Sequence, residues 1–77
     1  MTKADAERRL ALSESVVSKW EAMGGPGGSA RGNLRMIEDE VAILLGVAAQ
    51  HVELRQRIED LRRRYGNLAD TIRRSVN

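Results

Sequence analysis

The amino-acid sequence predicts an all-α fold: a first helix, a glycine-rich linker, and a long amphipathic second helix that folds back as a hairpin and associates through a coiled coil. Three observations carry this prediction. Residues of the second half recur on a heptad spacing, at Ile37 and then, three and four apart, at Leu44, Val47, His51, Leu54, Ile58, Leu61, Tyr65, Leu68 and Ile72, the spacing that holds one seam on one face of a helix. No segment reads convincingly as a strand. Seven glycines and one proline punctuate the 77 residues, and five of those breakers fall together at Gly24-Gly25-Pro26-Gly27-Gly28. The chain therefore divides into an N-terminal helical segment at 1–23, a linker at 24–32 and a coiled-coil-like helix at 33–77.

The first helix is bounded at both ends. Thr2 suits an N-cap, and Asp5 three residues on completes a capping-box-like pair with an acidic first turn that favours the helix dipole. Ala4, Ala6, Leu10, Val17 and Trp20 share one side at helical spacing. The Gly-Pro run ends the helix, because glycine there loses more backbone entropy than any other residue and Pro26 lacks a donor.

For the second helix, Asn33 is the expected N-cap, with Glu38, Asp39 and Glu40 near the positive end of the dipole. Consecutive helical residues point in different directions, so this acidic triplet reads as solvated surface and not as an ion site. Gly46 weakens the helix by about 1 kcal/mol relative to Ala, a cost that a close helix crossing would explain. Gly66-Asn67 marks a place where the helix can break with a left-handed cap, although the seam stays in phase beyond it.

A chain this short rarely stabilises itself alone, and with no cysteine it has no disulfide staple. Phe is absent, so the core must be aliphatic. At ~1.5 Å per residue an unbroken second helix spans roughly 65 Å and the first only about half that. A hairpin then covers half the seam and leaves the rest for another chain. Val47, His51, Leu54, Ile58, Leu61, Tyr65, Leu68 and Ile72 are the expected interface of a homo-oligomer. Beside them Arg55, Arg57, Arg62 and Arg64 are all of one sign, which fits intrahelical pairs such as Glu53-Arg57, Glu59-Arg63, Asp60-Arg64 and Asp70-Arg74, an acidic protein partner, or phosphate contact.

Function classes narrow accordingly. The longest apolar run is too short to span a bilayer and no apolar leader opens the chain, so a soluble, cytoplasmic protein without membrane contact is expected. One histidine and no cysteine leave little for nucleophilic, acid–base or zinc chemistry. No enzyme activity, cofactor or metal is expected. The leading expectation is a self-associating interaction or assembly protein, an adaptor or a component of a larger particle.

A second reading comes from residues 6 to 21, AERRLALSESVVSKWE, which resemble the helix-turn-helix of phage-repressor-type DNA-binding proteins. The resemblance implies a short helix and a recognition helix held by Leu10, Leu12, Val17 and Trp20. It places Arg9, Ser13, Ser15, Ser18 and Lys19 at DNA, the serines and Lys19 in the major groove. Nucleic acid would then be the partner of a small dimeric regulator. The two readings part at residues 9 to 14, which form a turn in one and a smooth helix in the other.

Overall fold

The computed structural model describes residues 1–26 and 29–76, with side chains described through Arg74 outside that gap. The expected all-α class is observed: α1 runs Lys3–Met23, α2 Ala30–Val47 and α3 Val52–Val76, with one 3-10 turn at Ala48–Gln50.

Helix α1 begins as its sequence dictates. The Thr2 hydroxyl accepts from the Asp5 N–H at 3.1 Å while the Asp5 carboxylate accepts from the Thr2 N–H at 3.2 Å, closing the capping box. At the other end Gly24 adopts φ 84°, the left-handed cap that favours glycine, and the Gly25 N–H reaches the Trp20 carbonyl at 2.7 Å. Between them α1 is unbroken, and no non-glycine residue among those described has positive φ. The turn that the DNA-binding resemblance requires at residues 9 to 14 is therefore not formed.

The connector is shorter than the sequence suggested. Helix α2 starts at Ala30, so Arg31 and Gly32 are helical and Asn33 donates its N–H to the Ser29 carbonyl at 3.0 Å instead of capping. Of the expected linker, Gly27 and Gly28 lie outside the described residues.

The main correction concerns the long rod, because the chain turns at 48–51, not at 66–67. His51 takes an extended conformation, φ −122° and ψ 92°. Its N–H donates to the Ala48 carbonyl at 2.9 Å, and its own carbonyl accepts the Arg55 N–H that opens α3. Helix α3 then runs straight through Gly66 and Asn67. At ~1.5 Å per residue α3 spans about 38 Å, and the molecule measures 40 × 19 × 16 Å, so one helix length sets its long axis.

Turning there lets the seam cover itself. Leu10 and Val17 of α1, Val41 and Leu44 of α2, and Leu54, Ile58 and Leu61 of α3 meet in one aliphatic core, with Ala6, Ala48 and Tyr65 also buried. Each helix contributes residues three and four apart, the pattern of nearly aligned helices packed ridge into groove. Ion pairs from Glu14 to Arg57 and from Glu21 to Arg64 step along α1 and α3 in the same direction. Arg31 lies by Arg73, and Glu38 by Arg62. So α1 and α3 are parallel, with α2 antiparallel to both.

Candidate interaction surface

The residues assigned to an oligomer interface are mostly core residues of a single chain. Leu54, Ile58, Leu61 and Tyr65 are buried against α1 and α2, and Val47 and Leu68 pack partly against the same cluster. His51 is half-buried at the corner, and Ile72 is half-buried near Gly25. The correction has a physical reason: a hydrophobic stripe is satisfied by any apolar cover, and the corner at 48–51 supplies one within the chain.

Two of the four flanking arginines, Arg57 and Arg64, are corrected in the same way. Arg57 donates to Glu14 at 2.6 Å, and Arg64 donates to Glu21 at 2.6 Å and to the Ser18 hydroxyl at 2.8 Å. Both guanidiniums are held more firmly protonated by these hydrogen bonds, and Arg64 keeps the Glu21 carboxyl below its ordinary value. The arginines thus bridge α1 to α3 in place of the expected Glu53-Arg57 and Asp60-Arg64 pairs, while Asp60 turns to Arg63 and Asp70 to Arg73.

The five residues placed at DNA do not form one surface. Arg9 is clamped through Nε and Nη2 to both carboxylate oxygens of Glu40, the Nε bond being 2.8 Å. Ser13 is buried, the exposed Ser18 accepts from Arg64 at the α1–α3 junction, and Ser15 and Lys19 are exposed on another side of α1. The acidic triplet diverges as helical geometry requires. Glu40 faces α1, Glu38 faces Tyr65 and Arg62, and Asp39 is exposed. Tyr65 has its hydroxyl pKa pushed up, first by burial and then by the charge of Glu38. Among the described residues no cluster of three potential metal ligands forms, and no helix is long and apolar enough to cross a membrane.

What the sequence reading missed is the face shared by α1 and α2. Leu12 is 69% exposed, Met36 69% and Ile43 49%, and Val16 and Met23 are exposed as well. Leu12, Val16, Trp20 and Met23 follow one another four, four and three residues apart, so they form a stripe along α1. Met36 and Ile43 are two turns apart on α2. Val16, Trp20 and Met36 line a single cleft together with Asn33 and Glu40, and the buried Ser13 and Ile37 lie at its base. The signal was present as Leu12 and Val16 lying off the Ala6, Leu10, Val17 stripe, which a narrow-seam reading discards.

The two junctions of α1 contrast in chemistry. Toward α3 it is stitched by acids and arginines, whereas toward α2 the Arg9–Glu40 clamp sits beside an apolar strip. The chain matches no protein-family model, no curated protein and no solved structure.

Proposed function

We propose that the protein is a small helical interaction module, an adaptor or a structural component of a larger assembly, that docks an amphipathic helix of a partner protein on its α1–α2 face. The observation that carries this reading is the concentration of exposed large apolar side chains, Leu12, Val16, Met23, Met36 and Ile43, on one side of a bundle whose α1–α3 junction is covered by ion pairs. Isolated exposed apolar residues are ordinary, but contiguous ones mark places where another surface fits. Two nearly aligned helices with a cleft between them offer the groove in which a third helix lays anchors one turn apart. Trp20 lines that cleft half-buried, so a large ring is available to a partner at little ordering cost. Lys19 on the outer margin of α1 favours a partner helix with an acidic residue beside its apolar stripe, whereas Arg8 is already paired with Asp5.

A photo-crosslinking amino acid placed at Leu12 or Met36, expressed in the native host, tests this. Both positions should yield one and the same covalent adduct, whose partner peptide is an amphipathic helix with acidic margins. The exposed α3 positions Gln56 and Arg63 should yield none. Equal adducts from all four positions, or none from the α1–α2 face, would remove the reading.

A further inference from the structure

We infer that the corner at Ala48–His51 is a hinge, and that a second copy of this chain accepts α3 by domain swapping, with α2 and α3 straightened into one long helix. Four features support this, none of which depends on the partner proposed above.

First, the corner contains neither glycine nor proline and no positive φ. Ala48, Ala49 and Gln50 are good helix formers already wound in a 3-10 turn, and His51 alone is extended. Bringing Ala48 from ψ 3° and His51 from φ −122° and ψ 92° to helical values joins the two helices. The Arg55 N–H to His51 carbonyl bond already has the spacing of a continuous helix.

Second, the apolar stripe is in phase across the corner. Ile37, Val41, Leu44, Ala48, His51, Leu54, Ile58 and Leu61 are separated by three or four residues throughout, so a straight rod of about 70 Å keeps them on one face. Third, α3 buries Leu54, Ile58, Leu61 and Tyr65 in one cluster with α1, α2 and Ala48 of the corner, and its ion pairs reach α1. The α3 of a second copy brings the same Leu54, Ile58, Leu61 and Tyr65, and its Arg57 and Arg64 meet Glu14 and Glu21 unchanged. A swapped dimer therefore keeps the core and the ion pairs.

Fourth, residues beside the corner are left underused in the hairpin. A Cβ on Gly46 would meet nothing within 4 Å, so the close crossing expected for that glycine does not occur. Val52 is 62% exposed. On a straight rod the exposed Ala49 and Val52 fall on one side, three residues apart. Two such rods crossing antiparallel at their midpoints pack these residues on their own symmetry mates, and small Ala49 lets the rods approach closely.

The chain has no cysteine, which permits a direct test. Chains carrying only Glu14→Cys and chains carrying only Arg57→Cys are mixed, unfolded, refolded together at about 1 mM, the scale of tethered effective concentrations, and treated with a short bis-maleimide. Swapping joins the two kinds of chain covalently through positions 14 and 57. The double variant in one chain, refolded dilute, shows that the reagent reaches. Insertion of Gly-Gly between Ala49 and Gln50 relaxes the corner and should lower the inter-chain product at least tenfold, whereas His51→Ala should raise it. A reactive double variant with no inter-chain product from the mixture overturns the inference, as does inter-chain product that survives the Gly-Gly insertion undiminished.

Discussion

Gly66→Ala separates the structure from the chain's most plausible alternative. In the structure Gly66 is inside α3, its φ is not positive, and an added Cβ would have nothing within 4 Å. Replacing glycine by alanine in a helix interior then gains about 0.8–1 kcal/mol, from reduced freedom of the unfolded chain, with no steric cost to subtract. For a domain of this size that raises Tm by roughly 4–8 °C. In urea, at a slope of about 1 kcal/mol/M, the midpoint moves up by about 1 M. If instead the chain broke at Gly66-Asn67 with a left-handed cap, Ala there would be strained by about 1 kcal/mol and the sign would reverse. Thermal denaturation followed by circular dichroism reads the difference. A lowered Tm for Gly66→Ala refutes a continuous α3 and the fold built on it.

The core assignment makes Leu61→Asp an unfolding mutation and not a dissociating one: the side chain is 1% exposed, and an unpaired buried charge should abolish the native circular dichroism signal at any concentration. Ile58→Ala, at a fully buried position, should cost about 2–5 kcal/mol in chemical denaturation. Thr2→Ala removes the hydroxyl of the capping box and should cost about 1 kcal/mol, with faster amide exchange in the first turn of α1. Arg64 holds the folded-state pKa of Glu21 below 4.5, so its contribution is present above the unfolded pKa and fades as pH falls through the folded value. Stability should thus drop below about pH 4.5 in the native chain and less steeply in Glu21→Gln, which should already be less stable at pH 7.

How much of this was legible can be argued residue by residue. The ends of α1 were, because Thr2 with Asp5 and the Gly24-Gly25-Pro26 run act locally and override nothing. Burial of the α3 stripe was also legible, since Leu54, Ile58, Leu61 and Tyr65 keep one period and one face. The corner was not. Ala48, Ala49, Gln50 and His51 carry no local stop signal, and periodicity scores a rod and a hairpin alike when the phase continues across the turn. Gly46 and Gly66-Asn67, the visible breakers, are both helical, because packing of the stripes outweighs the ~1 kcal/mol each glycine costs. The α1–α2 face escaped notice for a related reason: a residue's exposure depends on which helices cover its neighbours, and with α3 folded back on α1, Leu12 and Val16 are left outside.

On the proposed swap, the corner is decided by a competition between one chain and two. An α3 tethered by four residues samples its own α1–α2 groove at an effective concentration in the millimolar range. The hairpin and the swapped rod bury the same core, so the hairpin prevails in dilute solution by that concentration advantage, less whatever the straightened hinge and the crossing of Ala49 and Val52 return. The balance moves when copies are held near one another, as in a growing assembly, and the change of state leaves the Leu12–Met36 face uncovered in both forms. A swapped dimer would then present that face twice on one rod, and two weak docking events would become one avid one. Attachment to a partner array should accordingly steepen with protein concentration in the native chain but not in the Gly-Gly insertion variant, and equal steepness in both would show that the corner plays no part in attachment.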